Sequence, residues 1–316
     1  MLVSRRFSFA VRPLLVGWLL SVFLASASFA QIVFFPHINQ SGNTLLQTTL
    51  LDEATVVNDQ DDAIVLVTSW LNPGAVLITV PNDDDPNLFY STADRWSITN
   101  GNNRAMPVGS GYHVFAARGL SDTFIHVTNG PNTSGDTTFF TNPLTAVRPD
   151  RLVFVTANRS PDGVPGPTDP HPLAVSYSAF ADQWTVTHLD DATMPVGQSF
   201  NVLVQDLDPD GVTPAFVHEA TAGSLSFSIT YIDHPQLNNA PGSLLLVSQD
   251  VTPPATVNPR RVGILYDVIR RQWGIINQDD TNMPLGARFH VFALPRMFTD
   301  GFENGNTDWW SSTTGD

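Results

Sequence analysis

The chain has no cysteine. That absence removes disulfides, thiol catalysis, iron–sulfur clusters and cysteine-type zinc sites. It has no lysine either: the 15 basic residues are all arginine, against 30 Asp and Glu, for a formal net charge of −15. So acidic a balance argues against a nucleic-acid partner, because duplex binding rests on cations that neutralise phosphates. It argues equally against docking on an anionic membrane surface. Enzyme signatures are missing as well. There is no G-x-S-x-G elbow and no phosphate-cradling glycine loop, and His218-Glu219 runs into Ala-Thr instead of completing H-E-x-x-H. What is present suffices to fold. Of 316 residues, 42% are hydrophobic, which excludes whole-chain disorder, and the length admits one large domain or two to three small ones.

Residues 1–30 read as a bacterial secretory signal peptide. Arg5, Arg6 and Arg12 form a positive n-region, an apolar stretch runs from Leu14 to Leu24, and Ser28-Phe29-Ala30 supplies small residues for cleavage before Gln31. The apolar stretch is well short of the roughly 20 residues a spanning helix needs. Nothing later in the sequence is apolar enough to cross a bilayer, so no transmembrane segment is expected after cleavage. The expected location is outside the cytoplasm, secreted or periplasmic.

Three copies of one unit fill the rest. Trp96, Trp184 and Trp273 are 88 and 89 residues apart. Each is followed by Met-Pro (Met106-Pro107, Met194-Pro195, Met283-Pro284), then by Gly109, Gly197 or Gly286, an aromatic (Tyr112, Phe200, Phe289) and a valine (Val114, Val202, Val291). Each unit opens on Phe-x-His, at His37, His126 and His218, and carries an apolar run at Ile64–Thr68, Leu152–Thr156 and Leu244–Ser248. An Asp/His/Asn-Pro step (Asp85-Pro86, His171-Pro172, Asn258-Pro259) leads into Tyr90, Tyr177 and Tyr266. This places β repeats at 31–119, 120–211 and 212–295, and a C-terminal tail at 296–316.

Short β-branched and aromatic runs with period-2 alternation, such as Ser199-Phe-Asn-Val-Leu-Val204, are bounded by Gly, Pro, Asn and Asp. Twenty-four prolines and 21 glycines leave no room for long helices. The expected fold is all-β: three tandem antiparallel β modules of about 88 residues, each a small sandwich or barrel of roughly six strands. A propeller-like closed arrangement that shares strands between units is the alternative.

Trp273-Gly-Ile-Ile-Asn-Gln-Asp279, followed by Met283-Pro-x-Gly286-x-x-Phe289-x-Val291, resembles the closing signature of an uncharacterised repeat family of secreted bacterial proteins, whose units also open with an aromatic-x-His step. Unit 1 departs, with Asn100-Gly101-Asn102 at the turn, and unit 2 has His188-Leu189-Asp190 there. The resemblance implies secretion and tandem β modules, and no activity. Separately, Asp300-Gly301-Phe302-Glu303 through Trp310-Ser311 resembles an Asp-Gly-Phe-Glu-Ser-Gly…Trp-Ser tail of exported Gram-negative proteins, for which sorting, anchoring at the cell surface and capping are the open readings.

The recurrent Trp reads as core, with a sugar-stacking platform as the functional counterpart. Met-Pro-x-Gly reads as a turn. His37, His126 and His218 could hold a loop through a ring hydrogen bond, or contact a ligand. Asp206-x-Asp208-x-Asp210-Gly211 matches the start of a calcium loop, although Val217 stands where the closing Glu belongs, so calcium is the one cation nominated and a solvated linker the competing reading. The loop from Asn158 to His171 is peculiar to unit 2. The expected function is a secreted or cell-surface non-enzymatic β-repeat protein that binds or scaffolds, with extracellular polysaccharide or protein as partner. The alternative is a carbohydrate-active or other secreted hydrolase with its site on unit-specific loops.

Overall fold

The computed structural model describes residues 30–52, 57–75, 79–207 and 215–294. Unit 1 supplies β1 (Gln31–Ile38), β2 (Thr44–Leu45), β3 (Thr48–Leu50), β4 (Ile64–Trp70), β5 (Pro86–Ser91), β6 (Arg95–Asn100) and β7 (Gly111–Arg118). Unit 2 repeats the series as β8 (Thr123–Val127), β9 (Thr133–Ser134), β10 (Thr137–Phe139), β11 (Arg151–Asn158), β12 (Leu173–Ser178), β13 (Gln183–His188) and β14 (Ser199–Asp206). Unit 3 follows with β15 (Ala215–Glu219), β16 (Leu225–Ser226), β17 (Ile229–Tyr231), β18 (Leu244–Asp250), β19 (Val262–Asp267), β20 (Gln272–Asn277) and β21 (Arg288–Leu294). The seventh strand per unit, beyond the six expected, is a two-residue piece (β2, β9, β16) too short to show in a hydrophobicity pattern.

The fold is all-β, and its three seven-stranded sheets are each assembled from two units. Their orders are β2-β3-β6-β5-β11-β14-β8, β9-β10-β13-β12-β18-β21-β15 and β16-β17-β20-β19-β4-β7-β1. Each junction between units is a parallel pair, β5·β11, β12·β18 and β19·β4, whereas pairing within a unit is antiparallel. Unit 1 thus continues into unit 2, unit 2 into unit 3, and unit 3 back into unit 1. Tandem modules and strand sharing coexist here.

They coexist because each unit keeps its own sandwich core while its sheets run onward. In unit 1 that core contains Val65, Val67, Leu88, Trp96, Ile98, Met106, Tyr112 and Val114, and units 2 and 3 build matching clusters on Trp184 and Trp273. The opposite faces of the same strands meet in a shared centre: Ile64, Leu66 and Phe115 pack with Leu152, Phe154, Leu203 and Leu246. Strand β4 is therefore buried at every residue, which is why it reads as an unbroken apolar run and not an alternating one.

The repeated polar positions explain themselves. The indole N–H of Trp96, Trp184 and Trp273 donates to the backbone carbonyl of Gln60, Arg148 and Ala240, at 2.8, 2.8 and 2.9 Å. Gly109, Gly197 and Gly286 hold φ values of 97°, 87° and 83°, so the Met-Pro-x-Gly turn needs glycine for the left-handed backbone. Around the centre, the Val67 N–H donates to Thr156, Val155 to Ser248 and Val247 to Thr68, a cyclic set that stitches each unit to the next.

One sequence expectation is corrected. The Asp/His/Asn-Pro steps are not equivalent, because hairpin pairing sets the register: Pro86 faces Asn100, Leu173 faces His188 and Val262 faces Asn277. The loops before them differ in length, so proline position carries no register information. Tyr90, Tyr177 and Tyr266 are equivalent as expected, each opposite its Trp.

Candidate functional site

The three opening histidines repeat one arrangement. Nε2 of His37, His126 and His218 lies 2.8 Å from Thr49, Thr138 and Thr230 Oγ1 respectively, always twelve residues on. All three rings are buried, and burial lowers each pKa to about 4, partly offset in His37 by the Asp52 charge. They lie in β1, β8 and β15, on three different sheets, and the structure does not bring them together. Asp206 ends β14 and pairs with Arg148 and Arg151. Asp208 and Asp210 lie outside the described residues.

Unit 2 departs from its siblings in two places along the β12–β13 hairpin. The first is the outer face of its sheet. Thr137, Phe139, Ser176, Ser178, Thr185 and Thr187 line a groove of about 580 Å³ with Tyr177 and Phe180, and Phe180 at the hairpin turn is fully exposed. In unit 3 the positions of Thr137, Ser176 and Thr187 are taken by Ile229, Leu265 and Ile276, which pack with Leu71 into a closed apolar cluster. In unit 1 the position of Ser176 is Phe89, with the Arg159 guanidinium 5.5 Å from its ring centroid. Small hydroxyl side chains therefore leave open in unit 2 what larger ones fill elsewhere.

The second place is the loop before β12. Asp169 Oδ2 lies 3.1 Å from His188 Nε2, both side chains fully buried, and His188 Nδ1 bonds the Ala192 carbonyl at 2.9 Å. The His171 ring sits 4.6 Å from that of His188, and His171 Nδ1 is 2.8 Å from Asp190 Oδ2. Burial by itself would lower the His188 pKa, but the bond to Asp169 and its charge, with help from Ala192 and Asp190, outweigh burial and raise it. Asp190 goes the other way: burial opposes ionisation, yet His171 and backbone N–H donors hold its pKa below the usual range.

The loop is clamped by all three units. Asn87 of unit 1 accepts from the Asp169 N–H at 2.7 Å and donates to its carbonyl at 2.6 Å. Arg261 of unit 3 pairs with Asp85 of unit 1 and donates to the Pro170 carbonyl at 2.7 Å. Gly101 faces the Asp169 carbonyl so closely that a Cβ would collide with it, which accounts for the glycine in the unit 1 turn. Of these residues the sequence had singled out the Asn158–His171 loop and noted His188 as the unit 2 departure at the turn; it did not join the two, because Asp169 lies 19 residues before His188.

The profile of a domain of unknown function, DUF7452, matches residues 87–204 and 177–293. The chain belongs to this family. Each match begins in the strand that forms a parallel junction, β5 or β12, and ends in the seventh strand of the next unit, so the family module contains the strand-sharing seam. No curated protein and no solved structure matches the chain. Among the described residues, no helix is long and apolar enough to cross a membrane.

Proposed function

We propose that the protein is an exported bacterial, non-enzymatic binding module that holds extracellular polysaccharide in the unit 2 groove. The groove carries the reading: it pairs a row of hydroxyls, suited to sugar hydrogen bonding, with the free ring of Phe180, suited to stacking on a pyranose face. Export is supported by the signal-like 1–30 segment, and the tail resemblance extends the proposal to association with the cell surface.

Glycan-array screening of the mature chain tests it. Binding without turnover on a polysaccharide panel is expected, with Phe180→Ala weakening the best ligand about tenfold, the worth of one stacked ring. Thr187→Ile, which installs the residue found at that position in unit 3, should close the groove and abolish binding. Hydrolysis of the panel would instead favour the secreted hydrolase, and binding unaffected by both substitutions would remove the groove from consideration.

A further inference from the structure

The repeat provides two internal controls for the Asp169–His188 contact. By strand register, Asp169 stands where units 1 and 3 have Asn82 and Asn258, and His188 where they have Asn100 and Asn277. There the pair is amide to amide: Asn82 Nδ2 donates to Asn100 Oδ1 and Asn258 Nδ2 to Asn277 Oδ1, both at 2.8 Å. Asn100 and Asn277 then donate to the carbonyls of Arg104 and Thr281, at 3.0 and 3.1 Å. Donor meets acceptor throughout.

In unit 2 this complementarity is lost. A carbonyl can only accept, so the Ala192 carbonyl fixes a proton on His188 Nδ1; in the neutral ring Nε2 then turns its lone pair on the Asp169 carboxylate, 3.1 Å away, and the contact closes only with a second proton or a metal ion between them. Two buried acceptors in contact call for a cation between them. A third substitution points the same way. His171, at the position of Asp84 and Arg260, brings a second imidazole over the pair, and the ligand atoms of Asp169, His171 and His188 all lie within 4.8 Å of one another.

We propose that Asp169, His171 and His188 bind a divalent first-row transition-metal ion of the zinc class. Two imidazoles and one carboxylate suit zinc, and an all-oxygen set would be expected for calcium or magnesium. The outer groups are in place: the Ala192 carbonyl on His188 Nδ1 and the Asp190 carboxylate on His171 Nδ1 occupy one nitrogen of each ring and leave Nε2 to take the ion. His171 and Asp190 remain partly exposed, which gives the ion a route in and leaves a fourth position to water. This inference stands apart from the groove, with which the three residues share no member.

The experiment is titration of chelator-stripped mature chain with Zn²⁺ by calorimetry and with Co²⁺ by visible absorption. One equivalent should bind, with cobalt showing the intense ligand-field bands of a four-coordinate site. Asp169→Asn combined with His188→Asn recreates the amide pair that the fold accommodates in units 1 and 3. It should keep the wild-type circular dichroism and lose at least about 100-fold in affinity, and His171→Ala should weaken binding at least tenfold. A wild-type chain that takes up no stoichiometric zinc or cobalt would overturn the proposal, since a proton then bridges Asp169 and His188. Undiminished binding by the folded double variant would overturn it too.

Discussion

Unit 2 and its two siblings share a backbone plan but not their chemistry, and the comparison sorts the histidines. His37, His126 and His218 occupy one slot with one partner in all three units, each a neutral ring on a threonine hydroxyl. His188 occupies a slot that is asparagine in the other two, and its partner is a carboxylate. The two kinds titrate in opposite directions. Burial lowers the pKa of the repeated rings to about 4. The unique ring has its pKa raised, the Asp169 carboxylate overcoming burial. Repetition within one chain therefore separates side chains that serve the fold from those that serve a local purpose.

Acid should break this comparison with the largest effect. A histidine held at about 4 when folded and near 6.5 when unfolded takes up its proton first in the unfolded chain. Stability is then complete above pH 6.5 and is lost as pH falls from 6.5 towards 4. Each ring costs about 3 kcal/mol at the acid end, so three together approach the whole stability of a typical domain. His188, with its raised pKa, contributes the opposite slope, favourable at low pH and lost as pH rises through its folded value, but it is one ring against five, because burial also lowers the pKa of His113, to about 3, and that of His290. Urea unfolding followed from pH 7.5 to 4 should show the midpoint collapsing, and His126→Gln should remove about a fifth of the slope. A flat profile would mean that these rings are solvated.

A smaller effect tests whether the units are equivalent where they look alike. Trp184 is buried against Tyr177, with ring centroids 5.7 Å apart, and reaches His290 of unit 3 at 5.3 Å. Trp273 has the same relation to Tyr266 and to His113 of unit 1, at 5.4 Å in both cases. Trp184→Ala and Trp273→Ala should each cost about 3–5 kcal/mol, measured by urea unfolding monitored by circular dichroism. A loss below about 1 kcal/mol at Trp184 alone would make that indole a binding platform after all.

How much of this was legible in the sequence depended on whether the signal was local. The Trp, Met-Pro-x-Gly and opening His positions sit at fixed spacings, so the repeat and the turn could be read from them. The alternation of Ser199–Val204 gave strands directly. Strand sharing could not be read, because a parallel seam such as β11 against β5 has no turn to announce it. The unbroken apolar run of Ile64–Thr68 was its one trace, since both faces of that strand are covered. The Asp169–His188 contact was hidden for a different reason: the Pro steps suggested a register that the hairpins do not follow, so the equivalence of Asn82, Asp169 and Asn258, the partners of Asn100, His188 and Asn277, went unseen.

The smallest effect lies in the two-residue turns between the second and third strands of each unit. The first turn residue is left-handed in all three, with φ of 52° at Leu46, 62° at Gly135 and 53° at Phe227. Only unit 2 has the residue that this backbone favours. A side chain there costs about 1–2 kcal/mol, against which glycine costs about 0.5–1 kcal/mol in unfolded-chain entropy. Phe227→Gly should therefore stabilise by about 0.5–1 kcal/mol, a rise of roughly 2 °C in melting temperature for a protein of this size. Gly135→Phe should lower the melting temperature by a similar amount. Phe227 is 85% exposed and can lose little packing on removal. A fall in melting temperature for Phe227→Gly would show that the ring contributes contacts exceeding the strain, and would put unit 3 beside unit 2 as a second place where the repeat has been modified.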